Sequence, residues 1–352
     1  MEDTDKERSK KEFEENIIEG LKWLGITWDN QGMFRQSERT EIYKEYLEKL
    51  IAEEKAYISK EESSEEGKRP EVIRFKNPNK VVTFKDKIRG EISFDTTELG
   101  DFVIAKSLEE PLYHLTVVVD DHEMKVTHVI RGEDGISNTP RQILIQEAIG
   151  ASRPIYAHLP LLLGKDKSKL SKRHGATSIS TYKEDGYISD AIVNYLAFLG
   201  WNPGTDQELF ELEELIRSFD LEKVQKGGAI FNTEKLDWFN KEYLKKIPRP
   251  SLEAQISQRL GKNIPQDKLE KLVPIILDRI NKIGDIDTLI EEGELSYFFE
   301  APDYDVEKLL WKKAEDLEES KEHLSVVKEK FSDISTGNFN QDIICLLYTS
   351  DA

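Results

Sequence analysis

The 352 residues include one cysteine, Cys345. A lone thiol has no internal partner for a disulfide, and no Cys-x-x-Cys zinc spacing exists, so a reducing compartment fits. Long apolar runs are missing too. None approaches the roughly 20 residues of a membrane span, and the N-terminus lacks a signal-peptide core. The expectation is a cytoplasmic protein with no membrane partner. The six histidines show no metal-ligand spacing. His114, His122, His128, His158 and His323 read as structural or surface residues, and no metal site is expected. There is no internal repeat. Positive charge is scarce: 50 Lys and Arg stand against 69 Asp and Glu, a net charge of −19. Bulk charge therefore does not hold a polyanion, and nucleic acid would need a local basic surface.

A chain of this length exceeds what one hydrophobic core serves, so two or more domains are expected. A first helix is expected from a Ser9/Glu12 capping box, with Phe13, Ile17, Leu21 and Leu24 on one face and Gly25 at its end. A second runs from about Ser37 to about Ala56. KEESSEEGKRP (60–70) reads as a polar connector. VIRFK (72–76), KVVTFKD (80–86), KIRGEISFD (87–95) and DFVIAKS (101–107) read as strands of a small antiparallel insert. LYHLTVVVDD (112–121) fits a strand or a buried helix. VTHVIRG (126–132) and IYAHLPLLLG (155–164) read as buried strands around a helix that Thr139, Pro140 and Gln142 start, the strand–helix–strand order of a parallel sheet. From Tyr187 onward the pattern is almost entirely helical, with a boundary at IPRP (247–250).

GKDKSKLSKRHGA (164–176) concentrates cationic side chains between Gly164 and Gly175, just after a buried parallel strand, where open α/β sheets bind ligands. Lys169 and Lys172 are spaced to reach one polyphosphate as point charges. The other reading is a solvated basic loop; His174 belongs to the same stretch. In HVIRGEDGISNTPRQ (128–142), Arg131 closes a strand at that same edge, where a guanidinium suits a carboxylate. The alternative is a structural pair with Asp134. Glu133 and Asp134 suit an amine, a ribose hydroxyl or Mg²⁺. EDTD (2–5) reads on its own as a charged cap segment, and Tyr113 as a half-buried aromatic.

The ordered set EDTDKERS, EGLKWLGITWD, FRQSER, LYHLTVVVDDHEMKVTHVIRG, YAHLPLLLG, KLSKRHGA, VNYLAFLGW and KLDWFN resembles the class I aminoacyl-tRNA synthetases, with KLSKRHGA similar to the KMSKS-type loop in its glutamyl-tRNA synthetase form. The likeness covers most of residues 1–250. It implies an α/β fold with a Rossmann-type parallel-sheet catalytic domain (1–45 and 109–175), N-terminally truncated and split by a small α+β acceptor-end insertion (46–108). An all-helical stem-contact domain (176–248) and an incomplete helical anticodon-binding region (249–352) follow. It implies a glutamate–tRNA ligase that makes glutamyl-adenylate from L-glutamate and ATP, with Mg²⁺, and transfers the glutamyl group to the 3′ end of tRNA(Glu), as a monomer.

By position, the resemblance makes Lys169 and Lys172 the catalytic lysines. Lys169, Ser171, Lys172 and Asp134 become ATP contacts, and Glu2, Tyr113 and Arg131 the glutamate pocket. The family's His-x-Gly-His segment is absent and similarity fades after about Phe331, so a fragment with impaired catalysis and newly exposed apolar surface is expected. The short insertion has no cysteines, so no zinc is expected. A glutaminyl-tRNA synthetase is the nearest alternative; the HG after KLSKR and the helical C-terminal half favour the glutamyl form. A non-catalytic tRNA-binding remnant has no need of Lys169 and Lys172 in register. An ATP-dependent nucleotidyltransferase acting on a small molecule would lack specific tRNA affinity.

Overall fold

Along Val81–Asp86 the side chains alternate between solvent and interior, with Val82, Phe84 and Asp86 buried. This period of two makes the segment the strand on which the first sheet is built. A computed structural model of the chain describes residues 1–4, 9–29, 32–60, 71–171, 178–261, 264–299 and 317–332. It divides into two compact units, Met1–Asp287 and Thr288–Ala352.

The first unit opens with α1 (Lys11–Trp23) and α2 (Thr40–Ala52), followed by β1 (Ala56–Lys60) and β2 (Glu71–Phe75). Then come β3 (Val81–Asp86), β4 (Gly90–Asp95), β5 (Phe102–Ser107), β6 (Glu110–Pro111) and α3 (Tyr113–Glu123). β7 (His128–Gly132), α4 (Thr139–Ile149), β8 (Ile155–Leu159) and β9 (Leu162–Leu163) complete this stretch. One antiparallel sheet has the order β1-β2-β5-β6 and a mixed sheet the order β4-β3-β8-β7. β7 and β8 run parallel, pairing Arg131 with His158.

The expected all-antiparallel insert therefore needs correction. β3 forms a hairpin with β4, but Asp86 also pairs in parallel with Tyr156 of β8. β3 thus has β4 along one edge and β8 at the end of the other. β7 is less buried than expected: among the described residues it pairs only with β8, and Ile130 is exposed.

LYHLTVVVDD resolves as the helix α3. Leu115, Val118 and Val119 fall at helical spacing and are buried, and that burial overrides the β preference of the valines. They join Tyr43, Leu47 and Leu50 of α2 and Ile143, Leu144 and Ile145 of α4 in one core over Phe75, Phe84 and Ile104. Each such buried aliphatic contributes roughly 1.5–3 kcal/mol. α1 starts without the expected capping box, since its cap residue is Lys10 with no side-chain hydrogen bond. Phe13 and Ile17 on its apolar face are exposed. The second helix is shorter than expected, because a 3₁₀ turn holds Gln36–Glu38 and β1 begins at Ala56.

The expected single strand 155–164 is two strands. Pro160, which has no N–H for a ladder, separates β8 from β9. β9 turns to pair in parallel with β10 (Ala229–Ile230). The helices of the first unit beyond β9 are α5 (Ile179–Glu184), α6 (Ser189–Phe198), α7 (Leu212–Ser218), α8 (Thr233–Leu244), α9 (Arg249–Leu260) and α10 (Gln266–Arg279). Tyr187, Ile192, Tyr195, Leu236 and Phe239 form a core between α6 and α8. Asn240, fully buried, accepts from the N–H of Ile188 (2.8 Å) and donates to the carbonyl of Asn281 (2.6 Å). IPRP lies at the junction of α8 and α9. In sequence, α11 (Asp285–Glu291) crosses the division between the units, and the second unit holds α12 (Leu317–Ser332). Among the described residues no helix is long and apolar enough to cross a membrane.

Candidate functional site

The carboxyl ends of the parallel strands β7 and β8 meet at Arg131 and His158. Arg131 is half-buried. Its Nε donates to His158 Nε2 (3.1 Å), and Nη2 donates to the carbonyl of Gly135 (3.1 Å), Thr139 Oγ1 (2.8 Å) and Gln142 Oε1 (2.8 Å). Thr139 and Gln142 were expected to start α4. Their side chains serve Arg131 instead, and the helix has no side-chain cap. Among the described residues every hydrogen-bond partner of the guanidinium is neutral. The expected structural alternative, a pair with Asp134, does not form, because Asp134 is bound to Lys169.

That second pair sits on the other half of the candidate site. Lys169 Nζ lies 3.3 Å from Asp134 Oδ2, with both side chains 64% exposed. So exposed a pair stabilises the fold by at most about 1 kcal/mol, and releasing the lysine to a polyphosphate costs little. The strand holding Lys169 is a return of β9: the N–H of Leu170 donates to the carbonyl of Leu162 (2.8 Å), and Gly164 N–H to Ser168 (2.9 Å). Lys167 takes the left-handed conformation at φ +61° to close this turn, and Asp166 accepts from the Ser168 N–H and hydroxyl. Lys165 pairs with Glu234 at 2.9 Å. Ser171 is exposed; Lys172 and His174 lie outside the described residues.

The N-terminal segment is clipped against the turn before α2. Gln36 N–H donates to the carbonyl of Met1 (3.1 Å), and Asp3 accepts from the Ser37 N–H (2.9 Å) and hydroxyl (2.6 Å). Asp3 is thus structural. Glu2 stays exposed and makes no hydrogen bond among the described residues. It lines a cavity of about 380 Å³ with Gln36, Asp120, Asp121, Trp28 and Phe34. Asp120 is fully engaged, accepting from Gln36, Arg39 and Tyr43. Asp121 is not: burial pushes its carboxyl up to about 6, opposed by the charge of Arg131 and reinforced by Asp120 and Glu2. Tyr113, at the start of α3, stacks its ring obliquely 5.4 Å from His114 and makes no hydroxyl hydrogen bond among the described residues. Neither Tyr113 nor Arg131 lines the cavity.

Asp86 and His158 escaped the reading of the sequence as site residues. His158 Nδ1 lies 2.6 Å from Asp86 Oδ2, and both side chains are wholly buried. Glu133, an expected ligand for amines, ribose or Mg²⁺, is taken: it pairs with Arg89 and accepts from the Leu161 N–H. Among the described residues no three His, Cys, Asp or Glu side chains cluster as a metal site.

Comparison with known proteins bears on the family of the chain. The family model described as tRNA synthetases class I (E and Q), catalytic domain, matches residues 1–67 and 58–238. A glutamate–tRNA ligase from Carboxydothermus hydrogenoformans is 40% identical over 345 residues, covering 84% of this chain and 72% of its own length. One from Aquifex aeolicus is 48% identical over 283 residues, covering 70% of this chain and 59% of its own. The chain thus spans about three fifths to three quarters of such relatives. A solved glutamate tRNA ligase from Elizabethkingia meningosepticum, in complex with its amino acid, superposes with a TM-score of 0.78 at 31% identity, covering 94% of this chain and 83% of its own.

Proposed function

The chain belongs to the class I tRNA synthetases of the E and Q type, among the glutamate–tRNA ligases, and from that premise we propose how its residues divide the work. The reaction is activation of L-glutamate by ATP to glutamyl-adenylate, then transfer to the 3′ end of tRNA(Glu). Arg131 takes the side-chain carboxylate of glutamate. The observation that carries this is its set of neutral partners: a half-buried guanidinium with no bonded carboxylate among the described residues keeps its charge for an anionic ligand and has a fixed orientation in which to offer it. Glu2 and Tyr113, whose side chains make no hydrogen bonds among the described residues, face the amino end of the substrate.

Lys169 leaves Asp134 for the ATP phosphates, and Asp134 is then open to the ribose or the tRNA end. Ser171 and Lys172 extend that contact. The lysines act by neutralising charge that builds on the phosphates as pyrophosphate leaves. Mg²⁺ arrives with ATP as part of the substrate, and no zinc is needed. Residues 1–45 and 109–175 form the catalytic domain, 46–108 the acceptor-end insertion, 176–248 the stem contact and 249–352 the anticodon-binding region. The protein works as a cytoplasmic monomer.

Calorimetric titration with L-glutamate and L-glutamine tests the reading without depending on turnover. Glutamate should bind at least tenfold tighter, and Arg131→Leu should erase the difference. Equal binding of both amino acids by the parent would favour the glutaminyl assignment. Glutamate-dependent pyrophosphate exchange in the presence of tRNA, with Lys172→Ala as control, follows the catalytic step.

A further inference from the structure

Behind Arg131 lies a chain of buried groups that the reaction itself does not touch. Asp86, at the end of β3, spends one oxygen on the main chain: Oδ1 accepts from Ile88 N–H (2.9 Å), Arg89 N–H (2.8 Å) and His158 N–H (3.3 Å). Its other oxygen, Oδ2, faces His158 Nδ1 at 2.6 Å. The opposite ring nitrogen, Nε2, accepts from Arg131 Nε at 3.1 Å. An arginine has no lone pair to offer, so Nε2 must be bare and the proton must sit on Nδ1. Asp86 enforces that tautomer.

We propose that Asp86 and His158 are positioning residues for substrate recognition: together they hold the Arg131 guanidinium in the orientation that receives the glutamate carboxylate. This rests on the role given to Arg131 above. The pair supplies an acceptor that is buried, neutral and directional. A carboxylate in the place of His158 would cancel the charge that the substrate needs, and a donor would repel the guanidinium. Burial holds His158 below the usual histidine range, with Arg131 and Arg89 acting the same way against the pull of Asp86. Among the described residues, the other neighbours of the ring are uncharged at neutral pH: Phe84 on β3, Tyr156 on β8 and the Thr139 hydroxyl on α4, 3.3 Å from Nε2. The ring therefore stays neutral, and able to accept, at the pH where the protein works.

Asp86→Asn separates this role from simple packing. The amide oxygen keeps the three main-chain donors, which leaves the amide NH₂ facing His158 Nδ1. That nitrogen must then accept, the proton moves to Nε2, and an N–H opposes the Arg131 N–H. The same change of tautomer under an otherwise intact geometry is known to disable a catalytic triad. With histidine labelled in ¹⁵N, and the His158 signal identified by its loss in His158→Gln, the parent should show the Nδ1–H form and Asp86→Asn the Nε2–H form. The dissociation constant for L-glutamate, read by calorimetry, should rise about tenfold in Asp86→Asn, as expected for losing one hydrogen bond to a charged group.

A second pair of variants serves if Asp86→Asn fails to fold. His158→Gln places an amide oxygen near the position of Nε2 and should stay within threefold of the parent, whereas His158→Leu should weaken glutamate at least tenfold. Parent-like glutamate affinity in a folded Asp86→Asn or His158→Leu protein overturns the proposal. If instead the parent shows no preference for glutamate and Arg131→Leu changes nothing, the function reading falls. The ring shifts and the solvent exchange of the Arg131 Nε–H then decide the positioning claim, and an unchanged tautomer or exchange rate in Asp86→Asn sinks it.

Discussion

Replacing Gly135 by alanine adds only one carbon and two hydrogens to a turn, yet it should weaken substrate binding sharply. A Cβ built at Gly135 falls 2.6 Å from Arg131 Nε and 2.8 Å from its Cδ. The backbone there is not in the left-handed region, so alanine is tolerated by the main chain itself. Ordinary contact begins near 3.4 Å, so the arginine must retreat by about 0.8 Å. The Nε–His158 bond, now 3.1 Å, would then stretch beyond hydrogen-bonding range. Losing a bond to a charged group costs about 1.5–3 kcal/mol, and overpacking adds about 1–3 kcal/mol. The first falls on substrate affinity, a factor of roughly ten to one hundred; the second falls on stability. Calorimetric titration with glutamate and a thermal melt separate the two. Parent-like affinity in Gly135→Ala would refute the idea that the position of Arg131 governs recognition.

Lys169→Ala should slow glutamate-dependent pyrophosphate exchange at least tenfold while shifting the melting temperature by no more than a degree or two, since its partner Asp134 is exposed. Asn240→Leu should cost about 1–3 kcal/mol by stranding the half-buried Ile188 N–H and Asn281 carbonyl, measured by urea denaturation. His114 makes acid costly. Burial, then Arg141 and Arg131, push it down to about 4, so between pH 6.5 and 4 the unfolded chain takes a proton that the folded one refuses. Its contribution is complete above pH 6.5 and is lost as pH falls through that window, about 1 kcal/mol by pH 5 for a half-buried ring. Asp121, raised to about 6, acts in the opposite sense between pH 6 and its ordinary value near 3.8. His114→Phe should therefore lose less melting temperature than the parent between pH 7 and 5 in a calorimetric scan.

The chemistry-bearing stretches were legible because each is local. The Gly164–Gly175 stretch, the strand ending in Arg131 and the helix from Thr139 all declare themselves within a dozen residues. The partners of Arg131 were not, since β3 and β8 come together across some seventy residues of sequence and leave no local pattern. One signal was available. In KVVTFKD, Asp86 falls on the same phase as Val82 and Phe84, and an aspartate on the buried phase of an alternating strand asks for a buried partner. Thr139 and Gln142 misled for a related reason: the residue types that cap a helix also accept from a nearby arginine, and only the fold decides which. In α3 the run of valines spoke for a strand, and packing against α2 and α4 settled it as a helix.

The pairing of β9 with β10 has a practical consequence for dividing this molecule. The main chain at Leu161 and Leu163 receives hydrogen bonds from Ala229 (3.0 Å) and Phe231 (2.8 Å), and Gly228 packs so closely on Leu163 that a Cβ would meet it at 2.6 Å. The lysine-bearing return strand thus hangs from a rail half of which is supplied some sixty residues downstream. Cutting the chain between β9 and β10, at the expected module boundary of 175/176, would leave the loop with one rail, so the two pieces would have to be co-expressed or joined by a linker, rather than studied apart.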